Sequence, residues 1–448
     1  MAIETHKEAH ARLEELLRAG YKRVRVQYPD LLGSSRNKVI PLRLLEEAAE
    51  DGLNFCISVL AVDHAGDMPP GTGLADEVQY RDMQAVPDLA TLRPVPWEES
   101  TAVCLADLWF DGEPLPCCPR GLLKRAIAEV EKRGYTVACG HELEFFLLRP
   151  GGSGYEQYAP RPGLVYRLDP AVDPGGVIRE MEEAAGAMGL PVVCANQEYF
   201  ASQWEINCRY AGALEAGDDA HLLKLAIKEI AGRHGLVATF IGKPADELGT
   251  SGYHLHLSLW DGAGGNAFLD ESSPDGLSDA CRWFVGGQLE HARGMTAVLA
   301  PTINAYKRFP AQAFAPYWLN WGPDNRTVCV RIPRERGKAT RIENRIGDGA
   351  ASAYLSSAAA IFAGLDGIDR RLEPGPAAGG DTYQQDGGWD TVPFSLPEAL
   401  DALEASAFLR EKLGEQFVQA FCALKRSEAR RYAAAVTDWE LREYIDAL

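Results

Sequence analysis

The chain lacks the short signatures that most often announce a cofactor. Its 10 cysteines, at positions 56, 104, 117, 118, 139, 194, 208, 281, 329 and 422, include no CxxC pair, which excludes a zinc or iron–sulfur centre of ordinary spacing. There is no GxxxxGK[ST] loop; the Gly-Lys-Ala-Thr at 337–340 has no upstream glycine partner. No GxGxxG follows a strand, so a dinucleotide fold has no support. A nucleotide bound here would have its phosphates held by metals and arginines. No run of 18 apolar residues occurs, and Met1-Ala2-Ile3-Glu4-Thr5-His6-Lys7 has no apolar signal core. Positive charge is scarce: 45 Lys and Arg face 64 Asp and Glu, a net charge of −19. Such a surface repels nucleic acid and anionic membrane. The expectation is a reduced, cytoplasmic protein with neither partner, and Cys56, Cys139 and Cys194 in apolar runs read as core thiols.

What is present is ordinary globular composition, 46% apolar and 24% charged over 448 residues, enough for two or three domains. Helical periodicity covers 7–19, 42–50, 121–133, 176–189, 220–235, 351–364 and 396–424. Strand patterns cover 21–28, 54–61, 101–107, 137–148, 203–207, 251–259 and 328–332. The proline-rich 111–120 reads as a linker and 374–388 as an exposed loop. The class is α+β, without repeats or low-complexity tracts.

Four constellations carry chemistry. In His141-Glu142-Leu143-Glu144-Phe145-Phe146-Leu147, strand alternation puts Glu142 and Glu144 on one face and the apolar residues on the other. The pair reads either as a solvated edge or as a cation site, since buried carboxylates need cations. Glu198 and Glu205, in Asn196–Asn207, add two more acids, with a structural salt bridge as the plain reading of each. In Gly249-Thr250-Ser251-Gly252-Tyr253-His254-Leu255-His256-Leu257-Ser258, a glycine-rich turn leads into His254, His256 and Ser258 on one face. The stretch 304–345 concentrates Lys307, Arg308, Arg326, Arg331, Lys338, Arg341 and Arg345, and adds Glu343. Arginine forks suit carboxylate and phosphate, and interleaved Val328, Val330, Ile332 and Ile342 suggest half-buried strands. Oxygen-rich carboxylate sites suit Mg²⁺ or Mn²⁺, and such ions with arginines are what phosphoryl transfer needs.

Taken in order, Glu-x-Glu-Phe-Phe, Gln-x-Glu-Ile-Asn, Ser-Gly-x-His-x-His-x-Ser, Asn-x-Tyr-Lys-Arg, Asn-Arg-Thr…Arg-Ile-Pro and Arg-Ile-Glu-x-Arg resemble the glutamine synthetase family over nearly the whole chain. The resemblance implies an N-terminal β-grasp domain (1–112), then a catalytic domain (113–448) with a funnel of antiparallel strands flanked by helices. It implies ATP and two or three Mg²⁺ or Mn²⁺ ions per site, and a homo-oligomer, commonly a double-ring dodecamer. It assigns Glu144, Glu198 and Glu205 to one metal and Glu142, His254 and Glu343 to another. His256, Ser258, Arg331, Lys338 and Arg341 fall on the nucleotide side. Arg326 lies near the transferred phosphate, while Arg308 and Arg345 grip the acid. The implied reaction phosphorylates a γ-carboxylate with ATP; an amine then displaces phosphate to give an amide.

The chain departs from the glutamine-forming pattern at two points. The acidic flap residue expected six positions after Arg308 is Phe314. With Phe309, Tyr317, Trp318 and Trp321 nearby, this suggests a pocket for a short or apolar carbon-bearing amine, as in the γ-glutamylamine synthetases, with core packing as the plain alternative. Asp63 is the nearest stand-in for a missing N-terminal acid. Gly249-Thr250 replaces Asn-Gly at the acid side, so glutamate or a close relative is expected there. The expected activity is thus ligation of glutamate to an amine other than ammonia. The alternatives are an ordinary glutamine synthetase, with Asp63 supplying the acid, and a non-catalytic relative.

Overall fold

The computed structural model describes residues 2–152, 154–161, 163, 165–311 and 314–448. Two sheets organise them. In the first, Arg23–Pro29 runs parallel to Thr101–Phe110, with Arg23 opposite Thr101 and Gln27 opposite Leu105. Ser35–Pro41 extends one edge as an antiparallel hairpin; Asp82–Pro87 and Leu53–Cys56 extend the other. Alternation decides the faces: Val24, Val26 and Tyr28 are fully buried. The helix Ala2–Arg18 packs Leu13 and Leu16 into the core.

The second sheet is built on one long strand, Tyr135–Gly151. Among the described residues its path runs Val192–Gln197, Gln203–Cys208, Tyr135–Gly151, Tyr253–Asp261, Ile342–Asn344, Val330–Ile332 and Trp321–Pro323. The pairings are antiparallel except the last. Helices Pro119–Glu131, Ala213–Arg233 and Ala353–Arg370 lie against it. Asp279–Glu290 crosses Ala353–Arg370 at glycine-width separation. A Cβ on Gly287 would stand 2.0 Å from the Ala363 carbonyl oxygen, and one on Gly367 2.0 Å from that of Trp283. This is the α+β arrangement expected, with curled sheets.

Several local expectations are corrected. Residues 54–61 are not one strand: Leu53–Cys56 pairs in the sheet, then Ile57–Ala61 coils into a 3₁₀ turn that buries Ile57, Leu60 and Ala61. A short apolar run does not distinguish the two. The long helix expected over 396–424 is three: Leu396–Ala405, Ala407–Leu413 and Glu415–Ala434. Ser406 caps the second with its side chain, and Gly414, at φ 93°, breaks the third away. The proline-rich 111–120 is no solvated linker, because Cys117 and Cys118 are buried and Pro119 opens a helix. The loop 374–388 packs in part, with the Thr382 hydroxyl donating to Thr327 O at 2.8 Å. All ten cysteines are free thiols, and Cys56 and Cys194 are exposed rather than in the core.

The two sheets are tied by a buried arginine. Arg120, 1% exposed, donates to both oxygens of Asp218 (2.9 Å each), to Asp107 (3.0 Å) and to Asp88 (2.8 Å). Asp88 and Asp107 belong to the N-terminal unit, Asp218 to the helix Ala213–Arg233. Tyr354 adds a hydrogen bond to Asp218 at 2.8 Å. Burial disfavours the charge on Arg120, but the carboxylates outweigh it and hold the guanidinium protonated. Arg120→Met leaves Asp218 without its cation and Asp88 and Asp107 with Lys124 alone. We expect a loss of about 3–5 kcal/mol in urea unfolding, and Asp218→Asn in the same background should recover part of it.

Candidate active site

Register places the chemistry. On Tyr135–Gly151, Leu143 and Phe145 point into the core, so Glu142 and Glu144 share the opposite face. Antiparallel pairing then sets His254 beside Glu142, Glu205 beside Glu144, and Glu343 beside both His256 and Arg331. Residues far apart in sequence therefore meet without any loop having to be positioned. The turn before Tyr253 must be narrow: a Cβ on Gly252 would stand 3.0 Å from Glu144 Oε1 and 3.2 Å from His254 Nε2.

The acids separate into two groups. Glu142, His256 and Glu343 each offer an atom within 4.8 Å of the others. His256 Nε2 lies 2.9 Å from Glu142 Oε1. His254 Nδ1 lies 3.2 Å from Glu142 Oε2 and 3.8 Å from Glu343 Oε1. Both histidines thus approach this group, whereas the sequence reading assigned only His254 to it. Glu144, Glu198 and Glu205 are not drawn as close. Each is held by an amide instead: Glu144 by Gln203 (2.7 Å) and the Gly252 N–H (2.7 Å), Glu198 by Asn196 (2.8 Å), Glu205 by Asn207 (2.6 Å).

The electrostatics of the two groups differ in sign. Burial alone would raise every carboxyl. In Glu343 the cations win: Arg345, His256 and His254 hold it down to about 2 despite burial. Glu142 is also held well below the carboxylate range, burial being overcome by His256 and His254. Glu198 goes the other way, pushed up to about 7 by burial and by Glu144. Burial and the charges of Glu142, Glu144 and Glu198 likewise push Glu205 well above the usual range. Carboxylates that repel one another in a half-buried, oxygen-rich cluster fit a divalent cation. The first group, with two carboxylates and an imidazole converging, fits a second.

Two cavities meet at this wall of acids and imidazoles. The larger, about 340 Å³, is lined by Glu142, His256, Ser258, Lys338, Arg341 and Tyr210, among others. Arg341 Nε donates to His256 Nδ1 at 3.2 Å. The smaller, about 170 Å³, is lined by Glu144, Glu198, Tyr199, Phe200, Thr250, His254, Arg308, Phe314 and Arg345. Arg308, 1% exposed, donates to Ile346 O (3.2 Å) and Gly347 O (2.7 Å). Arg345 pairs with Glu343 and donates to Phe314 O at 3.1 Å. Arg331 bridges Glu343 (2.6 Å) and Asp324 (2.7 Å). Arg326 is exposed on the turn after Asp324 and lines neither cavity.

Of the residues offered for the amine and acid pockets, Trp318, Phe309, Trp321, Asp63 and Gly249 line neither cavity. Trp318 packs on Tyr317 and Trp389 and lines neither cavity. Phe309 and Trp321 are core. Asp63 is 5% exposed, takes the amides of Ala65 and Asp67, and faces Arg431 at 3.1 Å, outside the site of its own chain. Gly249 stands behind the cavity rather than lining it; a Cβ there would meet the Phe200 ring at 1.9 Å. The aromatic wall comes from elsewhere. Phe314 lies 6.0 Å from Tyr199, which lies 6.5 Å from Tyr166. Tyr199 stood in a motif read only for its glutamates, and its exposure (55%) is a tertiary property that no periodicity reports.

Residues 116–444 match the glutamine synthetase catalytic domain model. The chain belongs to the glutamine synthetase family. A glutamine synthetase of Halobacterium salinarum is 34% identical over 97% of this chain and 96% of its own. The gamma-glutamylethanolamide synthetase GlnA4 of Streptomyces coelicolor is 36% identical (94% and 92%), and a glutamate–isopropylamine ligase of a Pseudomonas species 34% (95% and 95%). A solved GmaS/ADP complex superposes with a TM-score of 0.88 at 34% identity, covering 97% of this chain and 99% of that one. The protein is a carbon–nitrogen ligase of the glutamine synthetase family, whose members use ATP and divalent metals. No described helix is long and apolar enough to cross a membrane.

The repulsion among Glu144, Glu198 and Glu205 gives a test. Mn²⁺ should raise the melting temperature of the protein by linkage. Glu205→Gln should melt higher than the parent in EDTA, because one repulsive charge is gone, and should gain less from Mn²⁺. A variant destabilised in EDTA would show that the cluster is not strained.

Proposed function

We propose that this enzyme joins the γ-carboxylate of glutamate to a carbon-bearing amine through a γ-glutamyl phosphate. One observation carries the reading. Phe314, at the flap position of the acid in glutamine formers, is 47% exposed and faces the cavity shared by Glu144, Glu198, Arg308 and Arg345. With Tyr199 and Tyr166 it forms an aromatic rim at the cavity mouth, suited to the apolar part of an amine and to the face-on attraction of its cation. The relatives named for ethanolamide and isopropylamide formation lend support; equal identity to a glutamine synthetase leaves the amine to experiment.

In this reading the larger cavity holds ATP, against His256, Ser258, Lys338 and Arg341; Arg331, bonded to Glu343, and the exposed Arg326 are outside its lining and would have to turn towards the phosphates to meet them. The smaller holds the acid, gripped by Arg308 and Arg345. Glu142, His254 and Glu343, with His256 at hand, would hold one Mg²⁺ or Mn²⁺; Glu144, Glu198 and Glu205 would hold another. Bound there, the ions supply charge neutralisation between the two anionic reactants. A γ-carboxylate oxygen attacks the terminal phosphorus of ATP and ADP leaves. The amine nitrogen then attacks the acyl carbon, phosphate departs, and the nitrogen gives up its proton. Arg345, bonded to both Glu343 and the flap carbonyl at Phe314, positions the acyl phosphate between the cavities.

A second reading, ammonia as the amine, has one observation in its favour. Glu198, whose hold on a proton is strengthened by burial and by Glu144, stands in Phe314's cavity and could take the proton that a flap acid would. We further propose residues 1–112 and 113–448 as the two domains and a double-ring dodecamer as the assembly. The C-terminal segment supports the latter by leaving Val436, Trp439, Leu441, Tyr444 and Ile445 exposed, a face that fits a second copy.

Phosphate release with Mg-ATP and glutamate should be supported by ethylamine, isopropylamine or ethanolamine in preference to ammonium, with mass spectrometry naming the amide. Efficient glutamine formation with no amine preference would overturn the reading. Phe314→Glu should lower kcat/KM for the best carbon-bearing amine at least tenfold while raising that for ammonium. Trp439→Glu with Ile445→Glu should shift the mass in solution from the assembly to smaller species; an unchanged mass would remove the C-terminal face from the contact.

A further inference from the structure

Away from the active site, a cavity of about 480 Å³ opens between the hairpin turn at Leu32–Ser35, the helix Ala213–Arg233 and the segment Pro301–Thr302. Its lining contains Lys224, Lys228, Lys425, His64 and His221 and no carboxylate. In a chain of net charge −19 that is a concentration of the scarcer sign. Hydroxyl-bearing Ser34, Ser35, Thr239 and Thr302 complete the polar wall.

The positive charge is only partly answered. Lys425, 1% exposed, has Glu428 at 3.0 Å. Lys224 has no carboxylate at salt-bridge distance; its ammonium donates to Gly349 O (2.7 Å) and Ala351 O (3.1 Å) and sits 4.9 Å from the Phe240 ring centre. Asp348 lies close enough to favour that charge but is itself buried beside Arg308. The groups press on one another. Burial and Lys228 lower Lys224 to about 7, burial and Lys224 lower His221 to about 4, and burial and Lys425 lower His64. Basic groups crowded around an open cavity hold one another's protonation down, and an anion in the cavity would favour their charged forms.

We propose that this cavity binds a small oxyanion of two or more negative charges, a phosphate ester or a polycarboxylate, at a site separate from catalysis. The amino groups of Lys224, Lys228 and Lys425 and the hydroxyl donors match oxygen acceptors without requiring planar bidentate geometry, and the volume holds a ligand of citrate size. The site also touches the catalytic scaffold. Lys224 holds the carbonyls of Gly349 and Ala351, and Arg308 holds those of Ile346 and Gly347 a few residues earlier. An anion drawing Lys224 towards itself loosens one end of the segment whose other end anchors Arg308.

Calorimetric titration of the full-length protein with citrate and, separately, inorganic phosphate tests the proposal, with ADP present at saturation to occupy the nucleotide side. Lys228→Glu changes an exposed lysine outside the catalytic cavities, so its turnover without added anion should match the parent. It should weaken citrate or phosphate at least tenfold while leaving ADP affinity alone. His64→Glu, on an exposed loop residue, should weaken the same anion independently. Whichever probe binds more tightly identifies the ligand as polycarboxylate or phosphate-like. Anion affinity unchanged in both variants, or no binding of either probe at millimolar concentration, overturns the proposal.

Discussion

Carboxylates that repel one another on a half-buried sheet face are the constraint around which this molecule is arranged. Glu142, Glu144, Glu205 and Glu343 come from three strands and Glu198 from the turn after Val192–Gln197, and the fold brings them together against their Coulombic preference. The rest of the site is compensation. Arg331, Arg345, His254 and His256 neutralise one side; Asn196, Gln203, Asn207 and a backbone amide hold the other without neutralising it. The first side therefore meets a cation with much of its charge already answered by protein groups, whereas the second has only amides and depends on a cation more. Stability has to come from elsewhere, and the buried Arg120 with its three aspartates and the glycine-tight helix crossing are where it is visible.

Much of this was legible beforehand because it rests on alternation. Glu142 and Glu144 share a face for the same reason that Leu143 and Phe145 share the other, and a strand pattern reports that directly. The family motifs, in order, carried the rest of the acid set and the arginines. What the sequence did not reveal were properties of tertiary position. Trp318 and Tyr199 are both aromatic residues beside a motif, and only packing sends one against Trp389 and the other to the cavity mouth. Asp63 is paired with Arg431 from a distant helix, a contact that no local pattern reports. Residues 57–61 were apolar enough for a strand and were coiled instead, since a short buried run satisfies either geometry.

The flap position combines a constrained main chain with a free side chain. Phe314 takes a left-handed backbone conformation, φ 58°, an uncommon one for an aromatic residue, and its carbonyl is held by Arg345. A residue fixed so firmly by its main chain offers its side chain as the variable part. The backbone bond to Arg345 needs no particular side chain, so the position could exchange a carboxylate for a ring without disturbing that arginine.

The long strand has a further implication. Glu142 faces the larger cavity and Glu144 the smaller, and only Leu143 separates them in the chain. Along an extended strand, two residues span about 6.6 Å. The step from the larger cavity to the smaller is therefore graduated by covalent bonds, as on a ruler, and not by a hinge or a domain interface. Rearrangement of the surrounding loops can admit or refuse a substrate, but it cannot stretch that interval. Diversification in such a protein is confined to what stands at the two ends.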